Sequence, residues 1–178
     1  MTDIEPFETI SLDRVGYGTE TFPWSRARDE LTATYEDVAA VPYFLGTVTP
    51  QGIPHVAGIG AMWDDGDLYF TSGPGTRKSR NLAANPACTV AARLKTLDLT
   101  LSGTANRVKD RAVLEHLAAR YREDGGWPAE VEGDAFTAPF SAPSAGPAPW
   151  YLHRFTFTTA VGLGIKAPEG ATRWRFAR

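Results

Sequence analysis

The residues with the most chemistry in them stand together at Thr76-Arg77-Lys78-Ser79. Gly73-Pro74-Gly75 ahead of them ends a strand, and Asn85-Pro86 behind them stops a helix, so the four residues open a short helix that reaches about Ala84. The first N–H groups of a helix have no partner inside it, and the helix dipole adds positive character at that end. Two cations and two hydroxyls at the same end would offer a phosphate N–H donors, O–H donors and charge at once. The same residues also suit a plain helix start, with Thr76 as cap and Arg77 and Lys78 solvated.

The three histidines, His55, His116 and His153, have no metal-ligand spacing. His116 lies on a helical stretch and reads as a surface residue, whereas His153 alternates with Phe155 on a strand and reads as core or interface. The single cysteine, Cys88, excludes an internal disulfide and a cysteine-rich metal site. Gly162-Leu163-Gly164-Ile165-Lys166-Ala167 matches G-x-G-x-x-A, but Pro168 follows at once and too little chain remains for a βαβ unit. The stretch before Lys78-Ser79 fails the Walker pattern, because Arg77 stands where glycine is required.

The elements that must position these residues can be read from patterning. Ser25 to Ala40 reads as a helix, with Leu31, Tyr35 and Val38 near helical spacing. Tyr43–Thr49, His55–Trp63 and Leu68–Ser72 read as three strands, with Pro50-Gln51-Gly52 and Asp64-Asp65-Gly66-Asp67 as the turns. Cys88–Arg93 and Asp98–Val108 form a second strand pair, and Asp110–Arg122 a second helix. Residues 123–149 are rich in Pro, Gly and Ala; a segment of that length is expected to fold over a groove or a partner, with Trp127, Phe136 and Phe140 as anchors. Trp150–Val161 and Thr172–Phe176 complete the strands. The aromatics of the first of these, Tyr151, Phe155 and Phe157, look too many for one small barrel and suggest a dimer interface. Residues 1–24 read as an N-terminal arm and 25–178 as one domain.

With 178 residues, 43% of them hydrophobic, the chain can bury a core. A net charge of −3 gives no reason to expect nucleic acid as a partner, and basic residues gather instead at Arg77–Arg80 and Arg173–Arg178. There is no long apolar run and no signal-peptide pattern, so a cytoplasmic, membrane-free protein is expected.

Read in order, Pro54-His55-Val56, Trp63, Asp65-Gly66, Leu68-Tyr69-Phe70 and Arg77-Lys78-Ser79-Arg80-Asn81-Leu82 resemble the core of the pyridoxamine 5′-phosphate oxidase-like split barrels, which are flavin and deazaflavin oxidoreductases. Pro23-Trp24 and Arg173-Trp174-Arg175-Phe176 resemble the actinobacterial branch of that family. The resemblance implies a mainly β chain with some helix: a split β-barrel of six or seven strands with two or three helices. It implies a homodimer with the cofactor at the interface, and hydride transfer to or from a small organic substrate. Coenzyme F420, a deazaflavin, is the first choice of cofactor and FMN the alternative; a protein that only binds or sequesters a flavin, or a barrel that has lost its cofactor, are the rival readings. It places His55, Val56, Ala57, Gly58 and Ile59 along the ring, and Ser72, Thr76, Arg77, Lys78 and Ser79 at the phosphate. Asn81 would brace the loop, and Trp174 would join the cofactor site. Relatives often carry bulkier residues at Gly58 and Gly60, which implies extra room above the ring here.

Overall fold

The computed structural model describes residues 4–13, 20–33, 42–142 and 145–178. Its longest strand, β10 (Tyr151–Gly164), pairs on one edge with β7 (Leu97–Arg107) from His153 to Gly164. The other edge is divided. Tyr151–Phe155 pairs with β5 (Asp67–Ser72), and Thr159–Leu163 pairs with β11 (Ala171–Arg175). From β7 the sheet continues through β6 (Ala87–Arg93) and β2 (Tyr43–Val48) to β3 (Pro54–Ile59). The chain then bends at Gly60 into β4 (Ala61–Asp64), which pairs with β5. That bend joins the two ends of the sheet, and an antiparallel barrel closes, split where β10 exchanges one neighbour for another.

The stretch expected as one strand over His55–Trp63 is therefore two strands, parted by Gly60. The turn from β4 to β5 uses Asp65 at φ 46° and Gly66 at φ 83°, the left-handed pair that a tight hairpin needs. The N-terminal arm is not wholly loose, because β1 (Glu8–Ser11) pairs with β11. Helix α1 (Trp24–Ala33) matches the start of the expected helix; Tyr35 and Val38 lie outside the described residues. Helix α3 (Arg111–Glu123) is capped by Asp110, whose carboxylate accepts from the Val113 amide at 3.0 Å. Helix α2 (Arg77–Ala84) follows β5. The long segment after α3 is not structureless: β8 (Glu130–Glu132) and β9 (Ala135–Thr137) form a hairpin, and Phe136 bridges to Trp150. No helix among the described residues is long and apolar enough to cross a membrane.

Two cores hold these elements. The barrel interior contains Leu45, Phe70, Leu99, Phe155 and Phe157, and Trp24 of α1 seals one end of it. The second core lies under α3, where Leu114 and Leu117 meet Met62, Tyr69, Phe136 and Leu152. This division corrects the expectation that the aromatics of β10 need a partner copy. Phe155 and Phe157 turn into the barrel, while Trp150 and Leu152 are also buried in the single chain. The large apolar side chains left exposed include Phe44, Ile53 and Val56, on or beside β2 and β3.

The register of β10 against β7 slips between Phe157 and Thr159, with Gly103 opposite Phe157. A Cβ on Gly103 would run into the Thr156 carbonyl and stand 2.6 Å from Phe157 Cα. Gly58, by contrast, has nothing within 4 Å of where a Cβ would go. Gly103→Ala should therefore cost about 1–3 kcal/mol, the range for overpacking, and Gly58→Ala less than about 0.5 kcal/mol. Urea midpoints of the two variants check this, and equal midpoints would show that the bulge yields freely.

Candidate functional site

A cleft of about 220 Å³ opens where β3 bends into β4, beside the start of α2. Its walls include Gly58, Ile59, Gly60 and Ala61 from the bend, Thr71 from β5 and Lys78 from α2. Tyr121, Trp127, Phe140 and Ser141 close it from the segment at and after the end of α3. Trp127 is fixed over the cleft because its indole N–H donates to the Phe140 carbonyl at 2.7 Å and its ring meets Tyr121 edge-on at 5.4 Å. Two of the three expected loop aromatics thus line the cleft, while Phe136 is wholly buried in the second core.

Lys78 is the electrostatic centre of the cleft. It is 7% exposed, and among the described residues it has no carboxylate partner. Burial pushes its ammonium below the usual lysine range. A charge taken out of water without a counter-charge is costly, so the position favours an anion in the cleft. Arg77 is exposed at the helix start, and the backbone amides of Arg77 and Lys78 sit at the open end of α2.

The hydroxyls are arranged differently from the expectation that they donate outward. Ser79 Oγ donates to Ser72 Oγ at 2.8 Å, Ser72 Oγ stands 2.7 Å from Thr76 Oγ1, and Thr76 Oγ1 donates to the Gly73 carbonyl at 3.0 Å. One assignment of protons satisfies the whole relay: Ser79 to Ser72 to Thr76 to Gly73. Thr76 Oγ1 also accepts the Ser79 amide at 3.3 Å, so it caps α2 as well. The three hydroxyls hold the turn from β5 to α2 in shape, and the amides and Lys78 remain for a ligand. Asn81 braces a different element from the one expected: its amide donates to Thr47 Oγ1 on β2 at 2.9 Å, and that hydroxyl reaches the His55 carbonyl at 3.4 Å.

Of the other residues picked from sequence, Gly58 and Ile59 line the cleft. Val56 is 65% exposed on the same face as Gly58, but His55, Val56 and Ala57 lie further down β3 and do not line the cleft. Trp174 is not brought to the cleft at all. It is wholly buried, its indole N–H donates to the Phe22 carbonyl at 3.0 Å, and its ring packs against Trp24 at 5.5 Å. Trp24 and Phe176 pack at 4.8 Å, so the Pro-Trp and Arg-Trp-Arg-Phe motifs meet each other as a plug for the barrel. Residues missed in the sequence include Thr71, Tyr121 and Ser141; the alternation of β5 and the breaker-rich segment were the only signals that pointed toward them. Among the described residues, no group of three or more His, Cys, Asp or Glu could hold a metal ion.

His153 stands behind the site, stacked on Phe70 with ring centroids 5.1 Å apart. Burial pushes its pKa down to about 4; the Tyr151 carbonyl opposes this, while the cations of Arg107 and Lys78 reinforce it. The unfolded chain binds a proton at pH values where folded His153 does not, so stability rises with pH in that window. The contribution is complete above pH 6.5 and is lost as pH falls toward about 4, amounting to about 3 kcal/mol. His153→Gln should flatten the urea midpoint between those pH values relative to the unaltered protein. An unchanged slope would mean that the histidine is solvated in the folded state.

Comparison with known proteins adds the following. A family model described as pyridoxamine 5′-phosphate oxidase matches residues 28–143. A pyridoxamine 5′-phosphate oxidase-related, FMN binding protein from Nostoc punctiforme superimposes with a TM-score of 0.56 at 15% identity, covering 90% of this chain and 100% of that one. A heme binding protein from Mycobacterium smegmatis gives a TM-score of 0.54 at 15% identity, covering 79% of this chain and 57% of that one. An F420 reductase matches at 25% identity with a TM-score of 0.47, over 67% of this chain and 88% of that one. Comparison with curated protein sequences gives no significant match. The likenesses to the Nostoc and Mycobacterium structures establish the fold alone.

Proposed function

This chain belongs to the pyridoxamine 5′-phosphate oxidase family, and from that premise we propose that it is an oxidoreductase that binds a flavin-type cofactor in the Lys78 cleft, with coenzyme F420 as first choice and FMN as the alternative. The observation that carries the reading is a buried lysine with no carboxylate partner among the described residues, at the open end of a helix and sharing a cleft with a strand bend in which Gly58 and Gly60 carry no side chain. The residues present fit such a group. Lys78 and the amides of Arg77 and Lys78 would hold its phosphate. Gly58 and Gly60, with open space where a Cβ would stand, would let a flat ring lie close to the backbone. When bound, the cofactor supplies the hydride chemistry. The protein's share is to bind, to orient and, through Trp127 and Phe140, to exclude water.

F420 is preferred because the Arg77-Lys78-x-x-Asn81-Leu82 form, the Pro23-Trp24 entry and the Arg173-Trp174-Arg175-Phe176 ending most resemble the branch that uses it, and F420 carries an acidic tail that needs further cations. The C-terminal arginines are engaged elsewhere. Arg173 and Arg175 pair with Glu8, and Arg178 pairs with the buried Asp67. Arg80, exposed on α2 and bonded only to the Gly75 carbonyl among the described contacts, is a cation available for that tail. Phe44, Val56 and Gly58 share the outer face of β2 and β3, continuous with the cleft. This favours a second copy of the chain covering the cofactor there, with the site at a homodimer interface.

Titration of FMN and of F420 into the protein tests the reading. Lys78→Ala should weaken both by tenfold to hundredfold, the loss of a charged hydrogen bond worth about 1.5–3 kcal/mol. Arg80→Ala should weaken F420 more than FMN. If Lys78→Ala binds both cofactors as tightly as the unaltered protein, the cleft is not their site.

A further inference from the structure

One wall of the Lys78 cleft is held far more loosely than the others. Gly58, Ile59, Ala61 and Thr71 belong to strands and Lys78 to α2, whereas Phe140, Ser141 and Ala142 have no regular secondary structure. Pro139 and Ala142 are exposed, and Phe140 keeps 59% of its surface in water although it lines the cleft. Among the described residues, two hydrogen bonds hold this strap. The Trp127 indole N–H donates to the Phe140 carbonyl at 2.7 Å, and the Ala145 amide donates to the Ala142 carbonyl at 2.8 Å. A segment with few bonds and little buried apolar surface opens at much lower cost than the barrel beside it.

The groups on either side of the strap are fixed. Upstream, Phe136 is wholly buried and exchanges both backbone hydrogen bonds with Trp150 at 2.8 Å. Downstream, Ala145 is buried, and its carbonyl accepts from the Gly73 amide at 3.1 Å. A Cβ on Gly73 would stand 2.3 Å from that carbonyl, so only a glycine lets the strap dock on the turn between β5 and α2. Trp127 is fixed too, with its ring 5.4 Å from Tyr121 and 5.7 Å from Trp150. It is a rigid post, and the backbone of Phe140 is the movable part hung on it.

We propose that residues 139–142 are a gate over the Lys78 cleft, latched by the bond from Trp127 to the Phe140 carbonyl, which lifts to pass a ligand and closes behind it. The inference rests on the cofactor reading only for what passes through the gate. Lifting exposes the open side of the cleft and leaves Lys78, α2 and the glycine bend in place. Loss of the latch, a single net hydrogen bond, raises the open population roughly fivefold.

Two measurements test this. Trp127→Phe keeps an aromatic ring against Tyr121 and Trp150 but removes the latching N–H. Amide hydrogen exchange, followed by NMR on the whole chain without cofactor, should show the Ala145 amide exchanging roughly fivefold faster in this variant, with the Phe136 amide unchanged. Gly73→Ala, which crowds the strap from its other end and leaves the second core untouched, should also speed the Ala145 amide alone. Stopped-flow mixing of FMN with Trp127→Phe should then give association and dissociation rates that rise together, with the dissociation constant within about twofold of the unaltered protein. A fixed wall would instead raise the dissociation rate alone. That result, or Ala145 exchange unchanged in both variants, or a rise shared equally by Phe136, would overturn the proposal. If the unaltered protein binds neither FMN nor F420, the cofactor reading falls, and the exchange of Ala145 still decides whether the gate exists.

Discussion

The divided edge of β10 sets the geometry of the molecule. One strand of fourteen residues gives its first part to β5 and its later part to β11, while β7 runs along the other side. Two neighbours cannot share one edge in one plane, so the sheet forks, and the fork makes two cores from one strand. The bulge at Gly103, where β7 approaches too closely for any side chain, lies between the two pairings. The same strand places His153 opposite Phe70 and Tyr151 opposite Ser72, immediately behind the turn that leads into α2.

The electrostatics follow from that placement. The start of α2 is packed against the barrel, so Lys78 is carried below the surface, while its neighbour Arg77 stays in water. The hydroxyl relay from Ser79 to Gly73 satisfies the polar groups of the turn, while among the described residues no carboxylate pairs with Lys78. Elsewhere the chain pairs its buried charge with care. Asp67, with no exposed surface, is held by both Arg154 and Arg178. Against that standard, a buried lysine with no carboxylate partner among the described residues stands out, and it is the main support for the proposed anion site.

Much of this was legible in the sequence, and the gaps have physical causes. Strands and helices followed from alternation and breakers, and Asp65-Gly66 and Asn85-Pro86 marked their ends correctly. The break at Gly60 was not legible, and His55–Trp63 read as one strand, because barrel closure depends on the partner strands rather than on the residue. Trp174 illustrates the opposite failure. In this chain Trp174 packs, since it meets Trp24 across the chain, and a motif carries no label saying whether it packs or binds. The hydroxyls of Thr76 and Ser79 were found by type and spacing and Ser72 by the family resemblance; that the three bond to one another depends on the fold that brings them together. The aromatics of β10 could not be sorted into two cores from sequence, because alternation gives two faces without saying that both are covered.

The central claim is that Lys78 is buried with no carboxylate partner among the described residues, and that the proposed anion in the cleft supplies its counter-charge. Its side-chain pKa, read from the ¹³Cε shift through a pH titration with and without FMN, tests that claim directly. The account predicts a value below the ordinary lysine range in the free protein, because burial disfavours the ammonium, and a rise when FMN brings a phosphate beside it. An ordinary value in the free protein that FMN does not move would contradict it.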